Sequence, residues 1–339
     1  MKVAINGFGR IGRTCLRQIY QYNFKKDIEV VAINDLGDIE NMAYLLKYDS
    51  VYRIFDREVS VIKEGNKSFL KVGDDKIIYL SEPNPENLPW KDLKIDCVIE
   101  ATGFFTDKEG AEKHIKAGAK RVVITAPAKG DVPHLLPGST ENIEVATLEK
   151  VTSNASCTTN AVAPVVAIMM ENPGIEKAFL TTVHAYTATQ KIVDGPSSKD
   201  FRRGRAGAQN IVLTSTGAAK ATGKVLPGVS EIFDGIAIRV PVITGSLVDF
   251  TFLAKRNTTA DEINDIFRSA AKQKRWEGIL KVVEDPIVSS DIIGDPYPSI
   301  VDLTFTRVVG GNLVKVFAWY DNEWGYVNSL LRHIVTFCK

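Results

Sequence analysis

The sequence has few cysteines, almost no net charge and no long apolar run. Its four cysteines are widely scattered, without CxxC or metal-ligand spacing, which argues against a disulfide framework or a metal site and suits a reducing compartment. No apolar run approaches the roughly 18 residues of a membrane span. A strand pattern begins next to Met1, so we expect no signal peptide. A net charge of +1 gives no reason to expect nucleic acid or membrane as the main partner.

What is present is the composition of an ordinary globular protein. The chain has 339 residues, of which 45% are hydrophobic and 24% are charged. This length suggests about two domains, each able to bury a core of its own. With few thiols and no targeting signal, we expect a cytoplasmic protein.

The first part of the chain alternates strand and helix patterns. Strands are predicted over Lys2–Asn6, Ile28–Asn34, Cys97–Ala101 and Arg121–Thr125. Helical spacing covers Ile11–Tyr22 and Lys108–Ala117, and Gly118 is placed to end the second helix. This alternation predicts βαβ units and an α/β domain with a doubly wound parallel sheet.

After Cys157 the pattern changes to longer-spaced β-rich segments. The predicted strands are Ala178–Val183, Ile236–Val240, Val248–Ala254, Ile300–Phe305 and Leu313–Trp319. They predict an α+β domain with a large, mostly antiparallel sheet. The basic, glycine-rich loop Asp194–Asn210 is long enough to be functional or interfacial. We expect a final helix, Val327–Thr336, to return to the first domain.

A glycine-rich turn follows the first strand. Gly7, Gly9 and Gly12 match G-x-G-x-x-G, in which the glycines allow a tight turn, close approach of a pyrophosphate and close helix packing. The helix N-terminus would add amides for the phosphate. The alternative is a merely structural turn. Asp35 lies 23 residues past Gly12, where a carboxylate binds the adenosine ribose diol and repels a 2′-phosphate. The sequence therefore predicts NAD binding in preference to NADP.

A cysteine between two hydroxyl residues is the most informative feature of the chain. Ser156, Cys157 and Thr158 precede an apolar segment that suits a helix, and a helix N-terminus lowers the pKa of a thiol. His184 follows 27 residues after Cys157 and would complete a nucleophile–base pair. The alternative is a buried structural cysteine and a satisfied histidine, since free cysteine is among the most buried residue types.

Seven ordered blocks of sequence resemble the phosphorylating glyceraldehyde-3-phosphate dehydrogenases of glycolysis from end to end. They are INGFGRIGR (Ile5–Arg13), LLKYDSV (Leu45–Val51), SNASCTTN (Ser153–Asn160), TTVHAYTATQ (Thr181–Gln190), STGAAKATGKVLP (Ser215–Pro227), RVP (Arg239–Pro241) and WYDNEWGY (Trp319–Tyr326). The resemblance implies a Rossmann NAD-binding domain over 1–156, completed by a helix over 323–339, and a catalytic domain over 157–322. It implies a homotetramer that converts glyceraldehyde 3-phosphate, inorganic phosphate and NAD to 1,3-bisphosphoglycerate and NADH.

The resemblance also implies a role for each candidate residue. Cys157 would form a thiohemiacetal and then a thioester, with His184 as its base. Cofactor contacts are implied for Gly7, Gly9, Arg10, Ile11, Gly12, Asp35, Thr125 and Asn322. The substrate phosphate is implied to bind Thr187 and Arg239. The attacking phosphate is implied to bind Ser156, Thr158, Thr216 and Gly217, helped by Arg203 or Arg205.

Simpler interpretations of these residues stay open. The hydroxyls beside Cys157 would also serve as helix caps. Arg203 and Arg205, with Arg202, would also suit a solvated charge run or a subunit interface. Asn322 would also suit a turn before the last helix.

The chain departs from the family pattern in places. Ala161 replaces a second cysteine that often follows the nucleophile, which excludes a disulfide within the site. The segment Glu82–Pro85 (EPNP) replaces an ERDP segment near the adenine, which puts one adenine contact in doubt. The segment Leu135–Thr147 matches no known pattern and is left unassigned.

Three rival functions are compatible with the same fold. The first is erythrose-4-phosphate dehydrogenase, in which the attacking-phosphate site is dispensable; the intact Ser215–Gly217 argues against it. The second is an NADP-using photosynthetic or gluconeogenic relative, against which Asp35 argues. The third is a non-catalytic NAD-binding relative, which is disfavoured by the joint presence of four residues, Cys157, His184, Thr187 and Arg239.

Overall fold

The protein is described by a computed structural model that covers residues 1–140, 148–198 and 200–338. The described residues fall into two compact units. Of these residues, one unit comprises 1–135, 148–155 and 330–338, and the other comprises 136–140, 156–198 and 200–329. The domain ranges expected from the sequence, 1–156 with 323–339 and 157–322, remain a prediction. Of the unassigned segment Leu135–Thr147, residues 141–147 lie outside the described ranges.

Seventeen β-strands and eight α-helices are found in the described part of the chain. The strands are β1 (Lys2–Asn6), β2 (Glu29–Asn34), β3 (Tyr48–Asp49), β4 (Arg53–Ile54), β5 (Val59–Glu64), β6 (Lys67–Val72), β7 (Asp75–Leu80), β8 (Cys97–Glu100), β9 (Arg121–Ile124), β10 (Val151–Ser153), β11 (Ile175–Ala185), β12 (Val212–Ser215), β13 (Phe233–Val240), β14 (Ser246–Ala254), β15 (Leu280–Val283), β16 (Ser299–Val309) and β17 (Leu313–Tyr320). The helices are α1 (Arg10–Gln21), α2 (Ile39–Lys47), α3 (Trp90–Leu93), α4 (Lys108–Lys116), α5 (Cys157–Glu171), α6 (Ala218–Val225), α7 (Ala260–Ala270) and α8 (Trp324–Phe337).

The first unit is built on an eight-stranded sheet in the order β10-β9-β8-β1-β2-β7-β6-β5. Neighbouring strands are parallel from β10 to β7, and β7, β6 and β5 continue the sheet as antiparallel hairpins. The predicted Rossmann fold is therefore confirmed. The turn after β1 lies where the strand order reverses, between β2 on one side and β8 on the other, and such a switch point is where ligands bind in open α/β sheets.

The local sequence explains the crossover from β8 to β9. Strand β8 is buried along its whole length, as expected of a strand with both faces covered. Asp107 caps α4 by accepting a hydrogen bond from the Gly110 backbone N at 2.8 Å. After α4, Gly118 has φ of 106°, and an added Cβ would lie 2.5 Å from Lys91 Cβ. Only glycine fits this predicted helix end.

The second unit contains a seven-stranded sheet in the order β12-β13-β11-β14-β17-β16-β15. The pairs β11–β13 and β15–β16 are parallel, and the other pairs are antiparallel. The predicted large, mostly antiparallel sheet is thus confirmed. Residues along β14 alternate between buried and half-buried, so one face of the sheet packs on a core that includes the apolar helix α5.

No helix within residues 1–140, 148–198 and 200–338 is long and apolar enough to cross a membrane.

Candidate active site

Cys157 is the first residue of α5, and its backbone is held by the residues before it. Ser156 caps the helix, its Oγ accepting a hydrogen bond from the Thr159 backbone N at 3.1 Å. Ala155 is fully buried with φ of 53°, a left-handed conformation uncommon outside glycine. The first turn of α5 carries no acidic side chain. The thiol therefore sits at a helix N-terminus whose partial positive charge is not neutralised.

His184 and Arg239 complete a cluster around the thiol. Strands β11 and β13 pair in parallel with His184 opposite Arg239. His184 Nε2 lies 3.3 Å from Cys157 Sγ. Its Nδ1 lies 2.7 Å from the Ala185 carbonyl oxygen and 2.6 Å from Arg239 Nη1. Arg239 also donates to that carbonyl at 2.8 Å. Three predicted site residues are thus brought together.

Burial decides the protonation state of this cluster. Burial raises the pKa of the Cys157 thiol, although Arg239 and the Thr158 backbone N–H favour the thiolate. Burial and the Arg239 charge lower the pKa of His184 to about 3. Both groups are therefore neutral near pH 7 in this structure. The expectation that the helix N-terminus lowers the thiol pKa is wrong here, because desolvation outweighs it.

Tyr320, which is not among the predicted site residues, supports the cluster. Its side chain is 1% exposed. Its hydroxyl lies 2.9 Å from Thr158 Oγ1 and 2.8 Å from Thr182 Oγ1. Its ring meets the His184 ring edge-on, with centroids 5.9 Å apart. Tyr320 lies in the WYDNEWGY block, so a sequence signal for it was present. The Thr158 hydroxyl, a predicted phosphate ligand, already has this partner.

Thr216 and Gly217 stand at the start of α6. Thr216 Oγ1 accepts a hydrogen bond from the Ala218 backbone N at 3.1 Å. A Cβ added to Gly217 would meet nothing within 4 Å, and the first turn of α6 carries no acidic side chain. This helix start is therefore open to an anion. Thr187, a predicted ligand of the substrate phosphate, lies outside this helix start. Its Oγ1 is 2.9 Å from Thr189 Oγ1.

The two candidate arginines of the basic loop differ in their partners. Arg205 Nε pairs with Asp194 at 2.7 Å on the surface. Arg203 Nε instead donates to Thr214 Oγ1 at 2.8 Å, and its Nη2 donates to the Ser215 carbonyl at 3.3 Å. Burial is the main cause that lowers the pKa of Arg239. The charges of Cys157 and Tyr320 oppose this effect, and the nearby charge of Arg203 adds a smaller lowering. Arg203 therefore lies nearer the cluster and keeps its charge available for an anion.

A cleft of about 540 Å³ lies at the carboxyl ends of β1, β2 and β8, within the usual size range of small-molecule sites. Its lining includes Gly7, Gly9, Asp35, Glu82 and Thr102. The ionisable side chains among its lining residues, Asp35 and Glu82, are both acidic. Pro83, at the departure from the family pattern, also lines it.

The three glycines of the turn are needed for different reasons. Gly7 has φ of 95°, and an added Cβ would lie 2.7 Å from the Ala101 backbone. A Cβ on Gly12 would lie 2.2 Å from the Gly7 carbonyl oxygen. A Cβ on Gly9 would meet nothing within 4 Å. The fold requires Gly7 and Gly12, whereas the space above Gly9 suits a ligand that approaches the backbone, as NAD pyrophosphate does.

Other predicted cofactor residues have defined partners. Asp35 accepts hydrogen bonds from the backbone N of Phe8 at 2.6 Å and of Gly37 at 2.8 Å, which ties it to the glycine-rich turn. Arg10 directs its guanidinium to Asp49 at 2.5 Å. As the first two residues of α1, Arg10 and Ile11 offer their backbone amides at its N-terminus.

Two predicted cofactor residues lie outside this turn. Thr125 follows β9 directly and donates its backbone N–H to the Glu100 carbonyl at 3.0 Å. Asn322 has its amide orientation fixed within the second unit. Its Oδ1 accepts hydrogen bonds from Ser246 Oγ at 2.8 Å and the Gly245 backbone N at 3.2 Å. With the oxygen engaged, the Asn322 amide nitrogen is left as the atom to donate to a ligand carbonyl.

Comparisons with known proteins show the family of this chain. Residues 1–108 match the family model described as the NAD binding domain of glyceraldehyde 3-phosphate dehydrogenase, and residues 156–322 match its C-terminal domain. A glyceraldehyde-3-phosphate dehydrogenase of Streptomyces coelicolor is 49% identical over 98% of this chain and 96% of its own length. The Thermotoga maritima enzyme is 49% identical over 97% of both chains. A chloroplastic form from Zea mays is 47% identical over 96% of this chain and 79% of its own.

Proposed function

The chain belongs to the glyceraldehyde-3-phosphate dehydrogenase family and is an NAD-dependent enzyme, and from this we propose the reaction it carries out. It oxidises D-glyceraldehyde 3-phosphate and joins the product to inorganic phosphate, giving 1,3-bisphosphoglycerate. The observation that carries the proposal is the cluster in which Cys157 Sγ lies 3.3 Å from His184 Nε2. A nucleophile within reach of a neutral base is what covalent catalysis on an aldehyde needs.

The first half of the reaction uses Cys157 and His184. The sulfur bonds to the aldehyde carbon, and His184 Nε2 takes the thiol proton and passes it to the carbonyl oxygen, giving a thiohemiacetal. His184 then takes the proton of that hydroxyl while the carbon loses hydride, which leaves a thioester on Cys157. Bound NAD supplies the hydride acceptor. The low pKa of His184 keeps its imidazole neutral for both proton transfers.

The second half releases the acyl group. An oxygen of inorganic phosphate attacks the thioester carbon and the carbon–sulfur bond breaks. Because its pKa is low, His184 has given up the acylation proton to solvent. Its neutral Nε2 takes the proton of the attacking phosphate and passes it to the sulfur, which leaves with the electron pair. The free thiol and the neutral imidazole are restored, and the acyl phosphate leaves.

Two anion sites are part of the proposal. Arg239 with Thr187 holds the phosphate of the substrate, and the half-buried guanidinium beside His184 supports this role. Thr216 and Gly217 hold the attacking phosphate at the open start of α6, together with Ser156 and Thr158. Arg203, which is anchored on β12, is favoured over Arg205 as their basic partner.

The cleft of the first unit supports the proposed placement of the adenosine and pyrophosphate. The pyrophosphate lies over Gly9 and the amides of α1, Asp35 takes the adenosine ribose, and Asn322 donates to the nicotinamide carboxamide. We also propose a cytoplasmic homotetramer, as the resemblance implies. Apolar side chains exposed around the basic loop support self-association, among them Ile192 at 91% and Phe201 at 85% exposure.

One assay tests the reaction. NADH formation is followed with glyceraldehyde 3-phosphate in the presence and absence of inorganic phosphate, then with NADP and with erythrose 4-phosphate. We expect sustained turnover only with inorganic phosphate, and preference for NAD and for the triose. Equal turnover without phosphate together with preference for erythrose 4-phosphate would establish the rival dehydrogenase. If no NADH forms with any substrate, the chain is the non-catalytic NAD-binding relative.

A further inference from the structure

Two buried thiols from distant parts of the chain lie side by side in the first unit. Cys97 begins β8, and Cys338 directly follows α8, 241 residues later. The Cys97 thiol donates a hydrogen bond to Cys338 Sγ, and the two sulfurs are 3.5 Å apart. Both cysteines belong to the first unit and both are free. Neither is among the proposed site residues, so the proposed reaction gives them no role.

A small movement would join the two sulfurs. A disulfide bond is about 2.05 Å long, so the sulfurs would have to approach by about 1.5 Å. Cys97 is fixed inside the sheet, because β8 pairs with β1 on one side and with β9 on the other. Cys338 lies just past the end of α8, where its backbone N–H donates to the Ile334 carbonyl at 3.0 Å. Since helix ends fray, the adjustment falls on Cys338.

The two thiols differ in what can reach them. Cys97 is fully buried, whereas Cys338 is 7% exposed and lines a cavity of about 400 Å³. Cys97 also holds its proton firmly, because the hydrogen bond to Cys338 and burial raise the pKa of the Cys97 thiol. A small oxidant therefore meets the Cys338 sulfur first, and Cys97 stands directly behind it.

The cavity at Cys338 has an excess of positive side chains. Its lining contributes three cations and two carboxylates, namely Lys26, Lys120 and Arg121, and Asp27 and Asp96. Reactive cysteines are found in partly accessible, electropositive surroundings of this kind. The positive charge also stabilises an anion that leaves at the sulfur, such as the hydroxide released when a thiol attacks a hydroperoxide.

We propose that Cys97 and Cys338 form an oxidation site, at which a hydroperoxide produces a disulfide that ties the end of α8 to β8. The Cys338 sulfur attacks one peroxide oxygen, the O–O bond breaks, and the leaving hydroxide takes the thiol proton as water. The Cys97 sulfur then attacks the sulfenic sulfur, the S–O bond breaks, and the second hydroxide takes the Cys97 proton as water. The two thiols lose two electrons in all, and the peroxide gains them.

The disulfide would stabilise the first unit. It would close a loop of 241 residues, and a cross-link over so long a stretch removes conformational freedom from the unfolded chain. Disulfides of reducing compartments are mostly transient and respond to oxidants. A single pair that is reduced at rest and joined on oxidation agrees with a chain whose scattered cysteines predict no disulfide framework.

The test is oxidation of the reduced full-length protein by hydrogen peroxide, followed by thiol blocking and peptide mapping by mass spectrometry. We expect a peptide pair joined through Cys97 and Cys338, which accounts for two of the four thiols of the chain and is released by dithiothreitol. A peroxide dose that oxidises Cys157 without forming this pair would overturn the proposal. Dimers linked through Cys338 in its place would also overturn it.

Three substitutions separate the roles of the two thiols. In Cys97→Ala, Cys338 should accumulate as a sulfenic acid that dimedone traps, and the cross-link should be lost. In Cys338→Ala, Cys97 should keep its thiol at the same peroxide dose. Cys15→Ala, which removes another fully buried thiol of the first unit, is the matched control and should form the cross-link as the wild type does. Equal loss of the Cys97 thiol with and without Cys338 would overturn the assigned order.

Thermal unfolding tests the stabilisation. The oxidised wild type should unfold at a higher temperature than the reduced protein, and this rise should be lost in Cys97→Ala and Cys338→Ala and persist in Cys15→Ala. NADH formation by the unoxidised variants, expected to equal that of the wild type, shows that they are folded. If Cys97→Ala does not fold, the wild type with and without dithiothreitol decides. An oxidised wild type that unfolds no higher than the reduced protein would overturn the stabilising role.

Discussion

In the proposed function the cofactor cleft and the catalytic cluster both receive phosphate groups, but their side chains carry opposite charges. The ionisable side chains that line the cleft are the carboxylates of Asp35 and Glu82. The cluster instead contains Arg239, with Arg203 near it. We propose that backbone amides bind the anion in the cleft and that the carboxylates there reject surplus negative charge. We propose that guanidinium groups provide the affinity in the cluster, as suits a phosphate dianion.

The two regions also use the same element in different ways. Both have a helix start without acidic side chains in the first turn. In α1 the cap is Gly9, which has no side-chain cap, so the amides stay open to an external anion. In α5 the cap is Ser156, which satisfies an amide internally. The first helix start is therefore suited to bind a ligand, and the second to hold its own Cys157 in place.

The substitution with the largest expected effect should abolish catalysis in the cluster and leave NAD binding in the cleft intact. Cys157→Ser should lower turnover by several orders of magnitude, because an alcohol near its ordinary pKa is a poor nucleophile. Its affinity for NAD should remain, since the cleft is lined by other residues. Steady-state NADH formation and NAD titration of the same preparation test this. Near-normal activity in the serine variant would rule out Cys157 as the nucleophile.

His184→Asn should have the next largest effect within the cluster. We expect a loss of roughly 10²- to 10⁴-fold in the acylation rate, the usual range for a general acid–base group. Tyr320→Phe is the matched control, because it keeps the ring against His184 and removes only the hydroxyl. An acylation rate in His184→Asn equal to that of Tyr320→Phe would assign the base elsewhere.

The pH dependence of the acylation rate tests whether Cys157 and His184 are both neutral near pH 7. With the pKa of His184 lowered to about 3, the base is already neutral above about pH 4, so no inflection should occur near its ordinary value of about 6.5. Because the pKa of the Cys157 thiol is raised, the rate should keep rising into the alkaline range. Stopped-flow bursts of NADH at each pH give the profile. An inflection near 6.5 would show that the free histidine is not held neutral.

Local patterns made part of both regions predictable. The turn from Gly7 to Gly12 and the start of α5 depend on residues close in sequence, and both were placed correctly. The contact of His184 with Arg239 depends on the parallel pairing of β11 with β13, which residue spacing does not encode. Tyr320 reaches Thr158 across 162 residues. The thiol pKa was misjudged because burial depends on packing from the whole second unit.

The two phosphate sites within the catalytic region should separate in a burst experiment. A charge-assisted contact to phosphate contributes about 1.5–3 kcal/mol, which is roughly 10- to 150-fold. Arg239→Gly should therefore weaken substrate use even in the acylation half-reaction, which needs no inorganic phosphate. Thr216→Ala should leave the first NADH burst nearly intact and slow phosphate-dependent deacylation. If both variants depress the burst equally, the two-site proposal is wrong and a single anion pocket serves the substrate.

The smallest effect tests whether carboxylates in the cleft reject extra phosphate. Asp35→Gly should raise the kcat/KM for NADP relative to NAD by about fivefold, since like charges about 4 Å apart in a solvent-open site repel by roughly 1 kcal/mol. Asp35 also accepts hydrogen bonds from the backbone N of Phe8 and Gly37, so Asp35→Gly also loosens the turn. Asp35→Asn keeps an acceptor oxygen and removes only the charge, and should show the same shift with less loss of NAD affinity. If neither variant changes the preference, selectivity resides elsewhere, and the loop around Pro196 and Ser197 becomes the next segment to test.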